Sequence, residues 1–134
     1  MTQFKPSMSM PDARILIVDD SKFARDLVSG MLSEAGFTRI SEARNAEEAI
    51  RIISTKKPDI AILDIDLGGT FDGVELLKRI KKEKHETKII MVSALGQKLI
   101  EEEVVAEDAD AFLVKPFKSE QLLFAIGLAM GYMV

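Results

Sequence analysis

The chain has 134 residues, of which 47% are hydrophobic and 30% charged, a size and composition that predict a single soluble domain with one core. A net charge of −4 argues against a nucleic-acid-binding face, and the absence of cysteine excludes disulfides, thiolate metal sites and cysteine nucleophiles. No apolar stretch approaches the roughly 18 residues of a membrane-spanning helix. We expect residues 1–12 to be a flexible leader and residues 13–134 to form the domain.

Four short apolar runs predict buried strands, and they occupy residues 13–18, 60–63, 88–92 and 111–114. None of them alternates apolar with polar residues, which is typical of strands that are covered on both faces in a parallel sheet. A fifth segment, "RISEA" at 39–43, alternates more and suits an edge strand.

The segments between these runs have helical periodicity. In the first of them Phe23, Leu27 and Met31 recur at intervals of four residues, and Gly36 follows as a C-terminal stop signal. This pattern predicts an amphipathic helix between the first two strands.

The next two helices are predicted from patterns that resemble a capping box. Asn45 is followed three residues later by Glu48, and Asp72 by Glu75, each before a group of apolar residues. A fourth helix is predicted at 97–108, and a fifth closes the chain.

Five strands that alternate with five helices predict an α/β fold with a doubly wound parallel sheet. For five strands the common arrangement is the flavodoxin-like (βα)5 sandwich, with strand order 2-1-3-4-5. In such sheets ligands bind at the carboxyl ends of the strands, where the strand order reverses.

Residues with reactive side chains stand at those predicted strand ends. Asp19 and Asp20 follow the first strand, Asp64 the third, Ser93 the fourth and Lys115 the fifth. Carboxylates held close together raise each other's pKa, and hard oxygen ligands of this kind suit Mg²⁺ with retained waters. A metal beside a lysine makes a pocket for a phosphate group, toward which a carboxylate could act as a nucleophile.

Each residue taken alone has an ordinary structural explanation. Asp20 or Ser21 could cap a helix, Asp64 could close a turn, and Ser93 and Lys115 could be solvated loop residues. Four strand ends would then have to converge by chance, so the combination favours a functional site.

Five motifs carry a resemblance to a known family, and they are "ILIVDDS" (15–21), "PDIAILDIDL" (58–67), "DG" (72–73), "IIMVSA" (89–94) and "AFLVKPF" (111–117). The chain resembles the receiver domain of bacterial two-component response regulators over about 118 residues, from 13 to 130. Because no output domain follows, the resemblance is to a free-standing, chemotaxis-type receiver, and it implies a cytoplasmic protein.

The resemblance implies a role for each residue of the strand-end cluster. Asp64 looks like the phosphoacceptor, Lys115 like the lysine that pairs with the phosphoryl group, and Asp20 like a direct Mg²⁺ ligand. Asp19 would act on the metal through water, and the backbone carbonyl of Asp66 would be a further ligand. The implied donor is a phosphohistidine on a sensor histidine kinase or a histidine phosphotransfer protein.

The resemblance also implies a conformational switch. Ser93 stands at the switch hydroxyl and Phe112 at the aromatic switch position, where many members carry Tyr. Their movement would alter the surface made by the predicted fourth helix, the fifth strand and the fifth helix, and so control a downstream protein. The Lys115–Pro116 bond is expected to be cis.

Two features depart from the family pattern. The segment from Asp64 to Asp72 lacks the usual Pro and is one residue longer, which we expect Gly68 and Gly69 to absorb. Asp66 places an acid where it could repel anionic donors or steer water, and the sequence does not decide between these effects.

The predicted C-terminal helix has no charged side chain from Gln121 to the end of the chain. A surface helix normally has a polar face, so this composition favours contact with a second subunit or a target protein. A frayed helix end, or a receiver cut from a longer protein, is the alternative explanation.

Two other functions compete with the phosphoacceptor hypothesis. The "DID" at 64–66 also resembles the motif of haloacid-dehalogenase-type phosphatases, although no length remains for a cap domain. A degenerate receiver that binds partners without phosphate is the second alternative. We expect a signalling acceptor with slow self-dephosphorylation rather than an enzyme, and the one histidine, His85, lies in a charged loop unsuited to a phosphodonor.

Overall fold

A five-stranded parallel sheet with helices packed on both faces is the frame of the computed structural model, which describes residues 10–67, 73–94 and 109–131. A short 3-10 helix, Met10–Asp12, precedes the first strand. The remaining elements in chain order are β1 (Arg14–Val18), α1 (Lys22–Glu34), β2 (Arg39–Ala43), α2 (Ala46–Lys56), β3 (Ile60–Asp64), α3 (Gly73–Lys82), β4 (Lys88–Ala94), β5 (Ala111–Lys115) and α4 (Ser119–Met130).

The strand order is β2-β1-β3-β4-β5 and every pairing is parallel, which confirms the predicted 2-1-3-4-5 sheet. β1 lies between β2 and β3, and its Val18 is in register with Ala43 of β2 and Leu63 of β3. The carboxyl ends of the strands therefore finish at the same edge of the sheet, and this alignment positions the candidate site.

Successive residues of the central strands point into two separate apolar cores. Leu16 of β1 and Leu63 of β3 face one core, whereas Ile17 and Ile62 face the other. Helices α2 and α3 cover the first core, and α1 and α4 cover the second. Because both faces are buried, the strands need no polar side, which explains their continuous apolar sequence.

Local signals in the sequence explain where α1 begins and ends. Ser21 caps its first turn, since the backbone N–H of Ala24 donates to Ser21 Oγ at 3.2 Å. Gly36 follows the last turn with a φ of +98°, a left-handed conformation that glycine adopts without steric cost, so the predicted stop signal is confirmed.

The capping pattern before α2 differs slightly from the predicted box. The backbone N–H of Glu48 donates to Asn45 Oδ1 at 2.9 Å, as expected for an N-cap. Glu48 Oε1 accepts from the N–H of Arg44 at 3.0 Å, one residue before the cap, because the two side chains also form an ion pair.

Several sequence predictions lie outside the described residues. They concern the leader before Met10, the predicted fourth helix at 97–108, Gly68, Gly69 and Asp72 in the loop before α3, and the last three residues. Among the residues that are described, none of the helices is both long and apolar enough to cross a membrane.

Candidate functional site

One ammonium group joins two buried carboxylates at the carboxyl edge of the sheet. Lys115 Nζ donates to Asp64 Oδ2 at 2.8 Å and to Asp19 Oδ2 at 3.1 Å. The carboxylate side chains are only 9% exposed at Asp19 and 11% at Asp64, whereas that of Lys115 is 36% exposed. The ends of β1, β3 and β5 thus deliver three of the predicted site residues to one place.

The remaining oxygen of each carboxylate accepts a bond from the backbone. The N–H of Asp66 donates to Asp64 Oδ1 at 3.0 Å, and the N–H of Ser21 donates to Asp19 Oδ1 at 2.9 Å. Each carboxylate is therefore held between a lysine on one side and a loop amide on the other, so that its orientation is fixed before any ligand binds.

Burial dominates the electrostatics of Asp64. Removal from water raises the pKa of this carboxyl above its ordinary value, the bonds from Lys115 and from the Asp66 N–H oppose the shift, and the charge of Asp19 adds to it. Burial by itself would lower the pKa of Lys115, but the bonds and charges of Asp64 and Asp19 outweigh it and raise the pKa. The pair of carboxylates thus holds more negative charge than one lysine offsets.

Asp20 and Asp66 lie at the rim of this cluster and are exposed. Within the described part of the chain, the Asp20 carboxylate has no hydrogen-bonding or ion-pair partner. Asp66 is tied to the site through its backbone N–H, since this group binds the Asp64 carboxylate.

The donor set suits a magnesium ion in its chemistry. In residues 10–67, 73–94 and 109–131, no three acidic or histidine side chains are grouped closely enough to form a metal cage. Mg²⁺ commonly binds through one or two carboxylates and keeps several waters, so a full cage is not required. Asp19 and Asp64, which share one lysine, and Asp20, which is exposed at the rim without a partner among the described residues, are hard oxygen donors that fit a divalent cation.

Ser93 is fully buried inside β4, and its Oγ is the one buried side-chain oxygen or nitrogen without a partner among the described residues. The sequence analysis placed Ser93 just after the strand, whereas it pairs in register with Val114 of β5. A buried hydroxyl without a partner costs about 1–3 kcal/mol, so Ser93 can donate a hydrogen bond at this edge of the sheet.

Phe112 lies on β5 in register with Met91 and packs, partly buried, against the core under α2 and α3. Phe112 also lines a cavity of about 440 Å³, together with Phe124 and Leu128 of α4. The predicted switch residues therefore occupy neighbouring strands, with Ser93 fully enclosed and Phe112 next to open space.

Gly73, the first residue of α3, lies against the backbone of Asp64 and Ile65, a contact that was not predicted from the sequence. Its N–H donates to the carbonyl of Ile65 at 2.8 Å. A Cβ at this position would lie only 2.1 Å from the carbonyl oxygen of Asp64. Only glycine allows α3 to start this close to the site, and the "DG" pair is the signal in the sequence.

An apolar groove of about 270 Å³ opens beside the cluster and has Asp19, Asp64 and Lys115 at one end. Its wall comes from α1, where Phe23 is 78% and Leu27 53% exposed. The sequence analysis treated these two residues as the packing face of the helix, but β1 and β3 are instead covered by Val28 and Leu32.

The chain belongs to the response regulator receiver domain family, because the family model matches residues 15–127, most of the chain. The cis Lys115–Pro116 bond that the resemblance implied is present. The protein is therefore a component of two-component signalling and not a classical enzyme.

Known relatives of the chain include free-standing and longer proteins. It is 37% identical to the chemotaxis protein CheY of Bacillus subtilis over 118 residues, which is 88% of this chain and 98% of that protein. The receiver domain of NtrX from Brucella abortus superimposes with a TM-score of 0.82 at 36% identity, covering 87% of this chain and 98% of that one. In another structure of NtrX the matched part is 27% of the solved chain, with a TM-score of 0.83.

We expect Gly73→Ala to lower the free energy of unfolding by about 1–3 kcal/mol, because the added methyl group must displace either α3 or the backbone of Asp64. Urea denaturation measures the change. Gly30→Ala is the matched control, since a Cβ at Gly30 meets nothing within 4 Å. This control should raise stability by about 0.5–1 kcal/mol, and equal effects of both substitutions would contradict the assigned contact.

We expect Asp64→Asn to raise the free energy of unfolding at neutral pH in metal-free buffer. A pKa raised by burial means that the ionised carboxylate opposes folding above its folded-state pKa, and that this cost disappears as pH falls through it. The advantage of the Asn variant should therefore shrink in acid. Urea titrations across pH check this, with exposed Asp26→Asn as the control, and a less stable Asn variant at neutral pH would mean that the Lys115 bond outweighs burial.

Proposed function

We propose that the protein is a phosphoacceptor switch in which Asp64 takes a phosphoryl group from a phosphohistidine partner. The observation that carries this proposal is the bridge from Lys115 Nζ to Asp64 and Asp19, at 2.8 and 3.1 Å, at the edge of the sheet. It gives a fixed carboxylate nucleophile and a cation beside it in one exposed hollow.

In the transfer step a carboxylate oxygen of Asp64 attacks phosphorus, an O–P bond forms and the P–N bond to the donor imidazole breaks. The imidazole takes up a proton from solvent as it leaves, and the product is an acyl phosphate on Asp64. Lys115 is placed to neutralise the oxygens of the arriving group, because its ammonium already contacts the Asp64 carboxylate.

Magnesium would be held by the residues that the resemblance implies. Asp20 would bind it directly, Asp19 through water and Asp66 through its backbone carbonyl, and Asp20 and Asp66 are exposed at the rim of the site. When bound there, the ion would supply positive charge that offsets the phosphoryl oxygens. Two carboxylates beside a single lysine, at Asp19 and Asp64, would favour its binding.

The switch would begin with the orphan hydroxyl of Ser93. A phosphoryl group on Asp64 adds acceptor oxygens near the end of β4, and the Ser93 hydroxyl can donate to one of them and so gain the partner it lacks. Movement of Ser93 toward the site would leave room for Phe112 to rotate from the edge of the sheet. Phe lacks the hydroxyl of Tyr, so its outward state would gain no surface hydrogen bond.

The described part of the output surface would lie on β5 and on α4, which is the predicted fifth helix. The predicted fourth helix, at 97–108, lies outside the described residues. Phe124 is 54% and Leu128 48% exposed, and both line the cavity beside Phe112. A homodimer contact or a downstream protein would cover these apolar side chains. Rotation of Phe112 into or out of the cavity would change the shape of that surface, which links the phosphorylation state to binding.

The donor would be a sensor histidine kinase or a histidine phosphotransfer protein, and the reaction would take place in the cytoplasm. The apolar groove beside Asp64, with Phe23 and Leu27 exposed on α1, offers such a protein a surface next to the acceptor. Slow hydrolysis of the acyl phosphate by water would reset the switch.

We expect Asp64 to be labelled once by radiolabelled acetyl phosphate with Mg²⁺, and Asp64→Asn to lose the label completely, because the amide is not a nucleophile. Gel autoradiography and intact mass measure the incorporation. Asp66→Asn is the matched control and should still be labelled, since the bond from Asp66 to the acceptor carboxylate comes from its backbone N–H.

Two outcomes of this experiment would favour the alternatives. A wild-type protein that no donor labels in the presence of Mg²⁺ would support a phosphate-independent binding module. Steady turnover of p-nitrophenyl phosphate that disappears in Asp66→Asn would support a haloacid-dehalogenase-type phosphatase, in which the second acid of the "DID" motif takes part in catalysis.

We expect beryllofluoride, a phosphoryl mimic, to increase the apparent mass in light scattering if α4 carries a homodimer contact. Leu128→Asp should abolish the increase, because it places a charge in the exposed apolar surface, whereas Leu27→Asp on α1 should not. If the mass stays monomeric with the mimic bound, a downstream protein rather than a second copy covers this surface.

A further inference from the structure

Asp20 depends on the backbone alone for its position. Its side chain is exposed and has no partner among the described residues, in contrast to Asp19, whose two carboxylate oxygens both accept hydrogen bonds. The peptide group that joins Asp19 to Asp20 therefore sets the direction in which the Asp20 side chain leaves the backbone.

Hydrogen bonds hold the backbone on both sides of Asp19. The N–H of Asp19 donates to the carbonyl of Ala43, at the end of β2, at 3.1 Å. Arg25 Nη1 donates to the carbonyl oxygen of Asp19 at 2.7 Å, and this oxygen belongs to the peptide that leads into Asp20. The second bond is short and comes from a cation, so it is the stronger of the two.

Arg25 is itself held by a second contact. Its Nε donates to Glu42 Oε1 on β2 at 2.9 Å, and its side chain is only 14% exposed. The planar guanidinium thus spans from α1 to the carboxylate on β2 and, at the same time, to the loop carbonyl. Nε and Nη1 are each used in one bond, and neither bond reaches a carboxylate of the site.

We propose that Arg25 is a positioning residue that fixes the Asp19–Asp20 peptide and thereby holds the Asp20 carboxylate where it can bind a divalent cation. The proposal rests on the proposed function only in taking Asp20 as a ligand of Mg²⁺. It assigns Arg25 no contact with the metal or with the phosphoryl group.

The direction in which the Mg²⁺ affinity changes when Arg25 is replaced distinguishes a positioning role from an electrostatic one. Arg25 carries a positive charge close to a cation site, so its removal should tighten Mg²⁺ binding if charge alone matters. Loss of the bond to the Asp19 carbonyl should instead weaken binding, because Asp20 is no longer held. Residues that orient a metal ligand commonly change metal affinity by about 10-fold or more when they are removed.

The test is Mg²⁺ binding measured by calorimetry on the unphosphorylated full chain. We expect Arg25→Ala to weaken the affinity by about 10-fold. Arg25→Lys keeps the charge but lacks the planar fork, so it should fall between wild type and Arg25→Ala. The change that Mg²⁺ causes in the backbone NMR chemical shifts of Asp20 should become smaller in the same order.

Two controls separate positioning from a loss of stability. Arg79→Ala removes an ion pair at 2.8 Å between α3 and Glu83, the residue that follows this helix, and it should leave the Mg²⁺ affinity unchanged. Urea denaturation of each variant identifies any that is partly unfolded, and Arg25→Lys carries the test if Arg25→Ala does not fold. At saturating Mg²⁺ the rate of labelling by acetyl phosphate should return to within about twofold of wild type, because only the affinity of a positioned ligand has changed.

Wild-type or tighter Mg²⁺ affinity in the folded Arg25 variants would overturn the proposal, and so would a wild-type protein that binds no Mg²⁺. A wild type that binds Mg²⁺ but accepts no phosphoryl group would refute the proposed function and leave this inference standing, since the binding measurement does not depend on phosphorylation.

Discussion

The site depends on one constraint, the burial of two carboxylates around a single ammonium group at the edge of a parallel sheet. Lys115 reaches Asp64 and Asp19 because the strands run parallel and the carboxyl ends of β1, β3 and β5 lie at the same edge of the sheet. Burial raises the pKa of Asp64, the bonds from Lys115 and from the Asp66 N–H oppose this shift, and the nearby charge of Asp19 adds a smaller rise. The fold accepts this electrostatic cost where the chemistry of a phosphoacceptor would use it.

The same edge contains a second unfavourable feature. Ser93 keeps a buried hydroxyl without a partner in the described structure, one strand away from Asp64. Both features would be relieved by what the proposed cycle supplies, namely a cation for the carboxylates and acceptor oxygens for the hydroxyl. A resting state that is locally strained and a modified state that satisfies its groups are the ingredients of a two-state switch.

The sequence predicted the sheet order and the convergence of Asp19, Asp64 and Lys115, because strand ends in a parallel sheet share an edge whatever the details of packing. It did not predict Arg25, since a bond to a backbone carbonyl leaves no complementary residue in the sequence. The sequence also did not predict which apolar residues of the C-terminal helix are exposed. Nearly all of them look alike in sequence, and only packing separates exposed Phe124 and Leu128 from the buried residues around them.

Gly73 has a consequence for how related chains can differ. Its N–H is bonded to Ile65 and its α-carbon lies against the backbone of Asp64, so the start of α3 is locked to the acceptor strand. Asp66 is locked to the same strand through its own N–H. A related chain with a side chain at the position of Gly73 would therefore have to move either the start of α3 or the backbone of Asp64.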